Sequence, residues 1–323
     1  MKPIFTNATP SQTPSISPTP IRLVYSGEVY HHVQGLFEFA LPDGWKLVGE
    51  QDGAAEFNNP SINNSFHVLV TNTGVVFDRV SFQRFVEAQE VNLFSAYPGY
   101  IQVNQQYDQV VNTASVEKHV KFMGVDQDVL TLYRQSGDII LNLDIWSKAS
   151  LSEEYINELN LFFSNIQLFT ETVSAQPIYG SVYEFLNDNG LYSGEIPLQW
   201  TRKKINASTT QIDRFTSPDQ QAVFQLTQFN DNEFISKKDA GFIVLNLLRD
   251  EYEPGLKIIE DRLPPEGGEL LIWSTSSGDL SGTTYFEIKG TTLIIKTGVY
   301  PLKQENLYQN LLQTIIDSIH AVE

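Results

Sequence analysis

The chain has no cysteine. That removes disulfides, thiolate nucleophiles, iron–sulfur clusters and cysteine-ligated zinc in one step. It has no apolar run of about 18 residues, so no transmembrane helix is expected. Positive charge is scarce: Lys and Arg number 21 against 39 Asp and Glu, for a net charge of -18. Such a surface repels phosphate backbones and anionic bilayers, which excludes nucleic acid as an expected partner. Catalytic signatures are missing too. There is no Gly-x-Ser-x-Gly elbow, no glycine loop before a lysine and no dinucleotide fingerprint. Among the five histidines, only His31 and His32 are adjacent, and neighbours on a strand point to opposite faces. His67, His119 and His320 stand alone, so no metal site and no cofactor are expected.

What is present is a globular composition, 41% hydrophobic and 12% aromatic, over 323 residues. That length exceeds what one core usually organises, so two domains are expected. Residues 1–20 stand apart, since "TNATPSQTPSISPTP" is Thr/Ser/Pro-rich, extended and solvated, a tether and not a domain. Tethers of this kind follow the lipid-anchored or signal-cleaved end of exported bacterial proteins. The expectation is therefore an extracytoplasmic lipoprotein or secreted protein in trimmed form, meeting the membrane only through a lost anchor or signal.

The rest of the chain is one unit written twice. "GLFEFALPDGW" at 35–45 is echoed by "GLYSGEIPLQW" at 190–200, pairing Pro42 with Pro197 and Trp45 with Trp200. "FNNPSINNSFHVLVTN" at 57–72 lies over "FTSPDQQAVFQLTQFN" at 215–230, and "YINELNLFFSNI" at 155–166 over "YQNLLQTIIDSI" at 308–319. Units 21–170 and 174–323 result, and a period this long is a duplicated domain, not a solenoid repeat.

Each unit carries the same expected elements. A first strand falls near 21–30 or 178–184, and a second runs into Pro-x-x-Trp. Alternating strands follow at 53–57 and 65–71, and at 211–215 and 222–228. A helix is expected over Ser81–Phe94, with Ser81 as its cap, and over Ser236–Arg249. Pro-Gly turns end these helices. Three strands come next, near 115–121, 126–135 and 138–147, and near 268–274, 281–288 and 291–297. Ser152–Ile166 and Gln304–Ile319 close the units as amphipathic helices. Short turns make the strands antiparallel, so the fold class is α+β: two tandem copies of an antiparallel sheet of about six strands, sandwiched by helices.

The signature strand, the Asn-Pro turn after the next strand and the two helices resemble the PsbP-like superfamily. This superfamily includes the extrinsic photosystem II protein, a Ran-binding import factor and many exported bacterial relatives. The resemblance covers 21–323 and implies a binding or accessory role without shared catalytic apparatus. The second copy departs from it: Tyr192 stands for Phe37, and "PLQW" lacks the Asp-Gly of "PDGW".

Trp45 and Trp200, with Pro42 and Pro197, read as structural signature residues, since a tryptophan ending a strand contributes core area. Tyr97 and Tyr100 flank the turn of "YPGY" and are candidate partner-binding anchors. Asp231 and Glu233, in "FNDNEF", join them as candidates without the spacing of a calcium loop. The acidic "EDRLPPEGGE" at 260–269 reads as a solvated connection. The expectation is a non-catalytic module acting through an unidentified protein partner. The alternative is small-molecule or carbohydrate binding in a cleft between the copies.

Overall fold

The structure, a computed structural model, describes residues 22–108, 110–230, 233–265 and 267–322. The expected tether lies outside these residues, as do Asp231 and Glu266. In the first copy, β1 (Val29–His31) and β2 (Phe37–Ala40) begin a small sheet. A main sheet follows from β3 (Lys46–Gln51), β4 (Ala54–Asn59) and β5 (Asn64–Asn72). Helix α1 (Arg79–Phe94) leads to β6 (Ile101–Tyr107), β7 (Thr113–Phe122), β8 (Val125–Ser136) and β9 (Ile139–Ser147). Helix α2 (Glu153–Ser164) and β10 (Gln167–Leu168) complete the copy, and the short α3 (Thr170–Ser174) leads onward.

The second copy repeats this plan. Its small sheet starts with β11 (Val182–Leu186) and β12 (Tyr192–Pro197); then come β13 (Thr201–Asn206), β14 (Thr210–Thr216) and β15 (Val223–Phe229). Helix α4 (Lys237–Glu251) precedes β16 (Lys257–Arg262), β17 (Glu269–Ser274), β18 (Leu280–Lys289) and β19 (Thr292–Pro301). Helix α5 (Glu305–Ser318) and β20 (His320–Ala321) end it.

Both main sheets have seven strands in the same order, β3-β4-β5-β9-β8-β7-β6 and β13-β14-β15-β19-β18-β17-β16, and all the pairings are antiparallel. The registers superpose as well. Phe66 faces Ile145 in one sheet as Phe224 faces Gly298 in the other, and Thr131 faces Asp144 as Thr284 faces Thr297. Even an edge bulge is kept, between Gln102 and Asn104 on β6 and between Ile258 and Glu260 on β16. Bulges there twist the free edge away from further pairing.

Each sheet is covered on both faces. Helix α2 and the small sheet bury Phe39, Trp45, Phe66, Leu143 and Phe162 on one face of the first, and α1 covers the other. In the second copy α5 lies over Phe215, Phe224 and Ile294, while α4 lies over Leu271, Trp273 and Ile295. Fully burying one such large apolar side chain contributes roughly 1.5–3 kcal/mol. One expectation is corrected. Asp78, not Ser81, caps α1, its Oδ1 accepting from the Ser81 N–H at 2.8 Å. Ser81 therefore sits inside the first turn, where a capping side chain finds its donor.

The copies touch through α1. Asn92 donates to the carbonyls of Leu198 (2.7 Å) and Trp200 (3.1 Å), and Gln199 Nε2 donates to Gln89 Oε1 at 3.2 Å. This accounts for "PLQW". Asp43 and Gly44 of "PDGW" are exposed, whereas Leu198 and Gln199 in the same positions are buried against α1. An Asp-Gly turn there would leave a carboxylate buried in that contact.

Candidate functional site

Both signature tryptophans are core residues. The Trp45 ring lies tilted 4.6 Å from Phe66, and Trp200, fully buried, lies edge-on to Tyr179 at 6.2 Å. In each turn the Trp N–H donates to the carbonyl of the proline three residues earlier, Pro42 at 3.2 Å and Pro197 at 3.0 Å. His31 and His32 face opposite ways as expected. His31 is an exposed partner of Glu38, and His32 is buried against Phe37. Burial lowers the His32 pKa below its ordinary 6.5.

Tyr97 belongs to an aromatic box at the end of α1. Its ring lies 5.5 Å from Trp146, 6.0 Å from Phe122 and 6.3 Å from Phe94. The Tyr100 hydroxyl reaches Gln102 at 3.5 Å. The turn is tied to the β7–β8 hairpin, where the Lys121 N–H donates to the Pro98 carbonyl at 2.7 Å. Apolar side chains stand in solvent at this end of the sheet. They are Ile101 (61% exposed) and Val103 (53%) on β6, with Phe122 (38%), Met123 (87%) and Val125 (43%) at the hairpin tip. Met123 holds a positive φ of 48°, a conformation that a residue other than Gly, Asn or Asp adopts at a cost. Glu233 lies elsewhere, in the loop before α4 beside the 85%-exposed Phe234; no described contact joins it to Tyr97 or Tyr100.

The second copy keeps part of this pattern, since Ile259, 66% exposed, stands where Val103 does, and drops the rest. Lys257 stands where Ile101 does, and Glu253 holds the place of Tyr97 and binds the Ser276 N–H at 2.7 Å. The β17–β18 connection is the polar Thr275–Asp279. The sequence pattern marked the tyrosines but missed Ile101 and Met123, which are distant in the chain and read singly as ordinary strand and turn residues.

Beneath the box lies a closed polar cluster. The Lys118 ammonium pairs with Glu90 Oε2 and donates to Thr131 Oγ1 at 2.7 Å, and Thr131 donates to Asp144 Oδ1 at 2.7 Å. Tyr133 donates to Glu90 Oε1 at 2.8 Å, and Phe94 covers the ammonium at 3.5 Å. Burial pushes the Glu90 pKa up and the Lys118 pKa down, and each charge pulls the other back toward its ionised form. Register places Trp273, Leu248 and Phe286 of the second copy where Lys118, Glu90 and Tyr133 stand. Trp273 Nε1 donates to Thr284 Oγ1 at 2.9 Å, as Lys118 does to Thr131. No group of three His, Asp or Glu residues among the described residues could hold a metal ion.

A cleft of about 720 Å³ opens between the copies, walled by the Asp52-Gly53 turn, the 176–182 segment and one side of α5. No helix among the described residues is long and apolar enough to cross a membrane.

No family model matches the chain, and no curated protein matches it either. Solved structures do. A cyanobacterial PsbP from Synechocystis sp. PCC 6803 matches at 13% identity and TM-score 0.31, over 48% of this chain and 98% of its own. LpqN of Mycobacterium tuberculosis, described as involved in cell envelope biogenesis, matches at 14% and TM-score 0.28, over 46% and 89%. The type VI secretion immunity protein TplEi of Pseudomonas aeruginosa, complexed with a peptide, matches at 13% and TM-score 0.23, over 86% and 98%.

Proposed function

We propose that this protein is a non-catalytic binding module that docks a protein partner on the apolar end of its first copy. One observation carries the reading. Phe122, Met123 and Val125 are exposed at a hairpin tip beside the Tyr97 box, where the second copy has the polar Thr275–Asp279. Contiguous exposed apolar surface rimmed by polar groups marks interaction sites, and a rigid aromatic base suits an anchor. The partner's matching face is apolar with a basic rim, because a net charge of -18 steers cations toward the chain. The Thr/Ser/Pro-rich residues 1–20 support presentation of the module from the cell envelope by a tether.

The test is affinity capture from the native membrane fraction with three baits: the chain, its Met123→Asp variant and its Val125→Asp variant. Both positions are exposed, so the variants keep the fold, which thermal unfolding checks. A stoichiometric partner held by the chain and lost by both variants is the expected result. No partner, or equal capture by all three, overturns the docking face.

A further inference from the structure

We propose that the cleft between the copies binds a neutral, polyhydroxylated ligand of about disaccharide size along α5. This goes beyond the docking reading, which uses the opposite region of the first copy. A volume near 720 Å³ falls within the roughly 300–1,000 Å³ of small-molecule sites.

The lining decides the class of ligand. It holds no Lys, Arg or His, and it includes Asp52 and Glu195. In an acidic chain such a cleft repels anions. Comparison of the copies argues against a cation as well. On α5 the wall is built from Asn306, Leu307, Asn310 and Leu311; the same positions of α2, an offset of 153, are Glu153, Glu154, Asn157 and Glu158. Three carboxylates have become an amide and two leucines, and a cation site would have kept them. Leu307 also serves the contact between copies, since a Cβ on Gly74 would lie 2.3 Å from its Cδ1. The asparagines have no such duty. Both are exposed, and no described residue engages their side-chain amides.

Asn306 and Asn310 are one helical turn apart, about 6 Å along the axis. Each amide both donates and accepts, as does a hydroxyl group. The neighbouring Leu311, Ile178 and Val182 offer an apolar strip beside them. A sugar presents those two features, a hydroxyl edge and a C–H face, repeated ring by ring. Asp52, from the first copy across the cleft, and Glu195, beside the end of α5, add acceptors for hydroxyl groups.

The experiment uses the full chain and ligand-observed saturation-transfer NMR, with affinities from calorimetry. Probes are maltose, cellobiose and N,N′-diacetylchitobiose, with n-hexylamine and hexanoate as charged comparators. At least one saccharide should bind with millimolar affinity or better. The Asn306→Leu/Asn310→Leu variant should bind it at least roughly tenfold more weakly, from the loss of two hydrogen-bonding groups. Asn157→Leu, the matching change on α2, should leave affinity unchanged, and so should Met123→Asp. Three results overturn the proposal: no saccharide binding, saccharide binding untouched by the double variant, or binding of hexylamine or hexanoate in its place. Unchanged thermal unfolding of the variant excludes misfolding as the cause.

Discussion

Replacing Lys118 by methionine should destabilise the protein by about 3–5 kcal/mol, because it leaves Glu90 buried without its counter-charge. Glu90 is 2% exposed and Lys118 1%, so water cannot take the lost partner's place. The remaining Tyr133 bond satisfies one carboxylate oxygen, and the ammonium's contact with the Phe94 ring is lost as well. Carrying the change through to the second copy's solution should reverse most of this loss. Leu248 and Phe286 take the places of Glu90 and Tyr133 there, so Lys118→Met/Glu90→Leu/Tyr133→Phe removes that ion pair and the hydroxyl that would lose its acceptor, while Asp144 keeps the Thr131 hydroxyl at 2.7 Å and His67 at 3.6 Å. Buried ion pairs exchanged for apolar groups of similar volume are commonly neutral or stabilising. The triple variant should therefore fall within about 1 kcal/mol of wild type, far from the sum of its single changes. Urea unfolding followed by tryptophan fluorescence measures each variant, with the slope m checking that the transition stays comparable. The reasoning fails if Lys118→Met costs less than about 1 kcal/mol, or if the triple variant is no more stable than that single one.

Two further outcomes follow from the same structure. Arg134 from β8 donates to the Ser164 (3.0 Å) and Ile166 (2.8 Å) carbonyls at the end of α2, and Lys296 from β19 donates to Ile319, the residue matching Ile166, at 2.6 Å. Lys296→Met should cost about 1.5–3 kcal/mol in thermal or urea unfolding, as the loss of a buried charged hydrogen bond at a helix C-terminus, and a smaller effect would assign the capping elsewhere. His32 has a folded pKa depressed by burial, so the unfolded chain binds its proton first as pH falls through 6.5. Its contribution is therefore complete above that pH and is lost on acidification through the folded pKa. His32→Phe should flatten the stability profile between neutral and mildly acidic pH, and an unchanged slope would contradict this.

Much of the fold was legible because it is written twice. The inner strands β5, β8 and β9 carry apolar side chains in step with the pleat, and α2 and α5 carry them in step with the helix, so periodicity located them within a residue or two. The strands that escaped are edges. All six residues of β16 are exposed, and none of β6 is buried, so neither has an apolar face to announce it; hence about six strands were expected where seven form. The cap of α1 moved from Ser81 to Asp78 because either side chain suits the position and only the backbone chooses. The charge cluster was invisible for a related reason. Lys118 lies in "VEKHVKF", whose charges read as a solvated face, and its partner Glu90 shares its helix with one other acidic residue, the exposed Glu87.

The differences between the copies are then the informative part, since a fold built twice from one plan has already shown what it does not need. Where the contact between copies demands a change, the change is explained in place. Leu198 and Gln199 replace an exposed Asp-Gly because they meet α1, and Leu307 replaces a glutamate because it meets Gly74 and Ile178. Where burial alone is at issue, two solutions serve equally, as Lys118 with Glu90 and Trp273 with Leu248 do. Neither account reaches Met123, held in solvent at a positive φ, or Asn306, exposed where the other copy has a glutamate. Packing neither rewards those residues nor forbids their alternatives. The two experiments above are aimed at these positions, where the proposals place contact with something outside the chain.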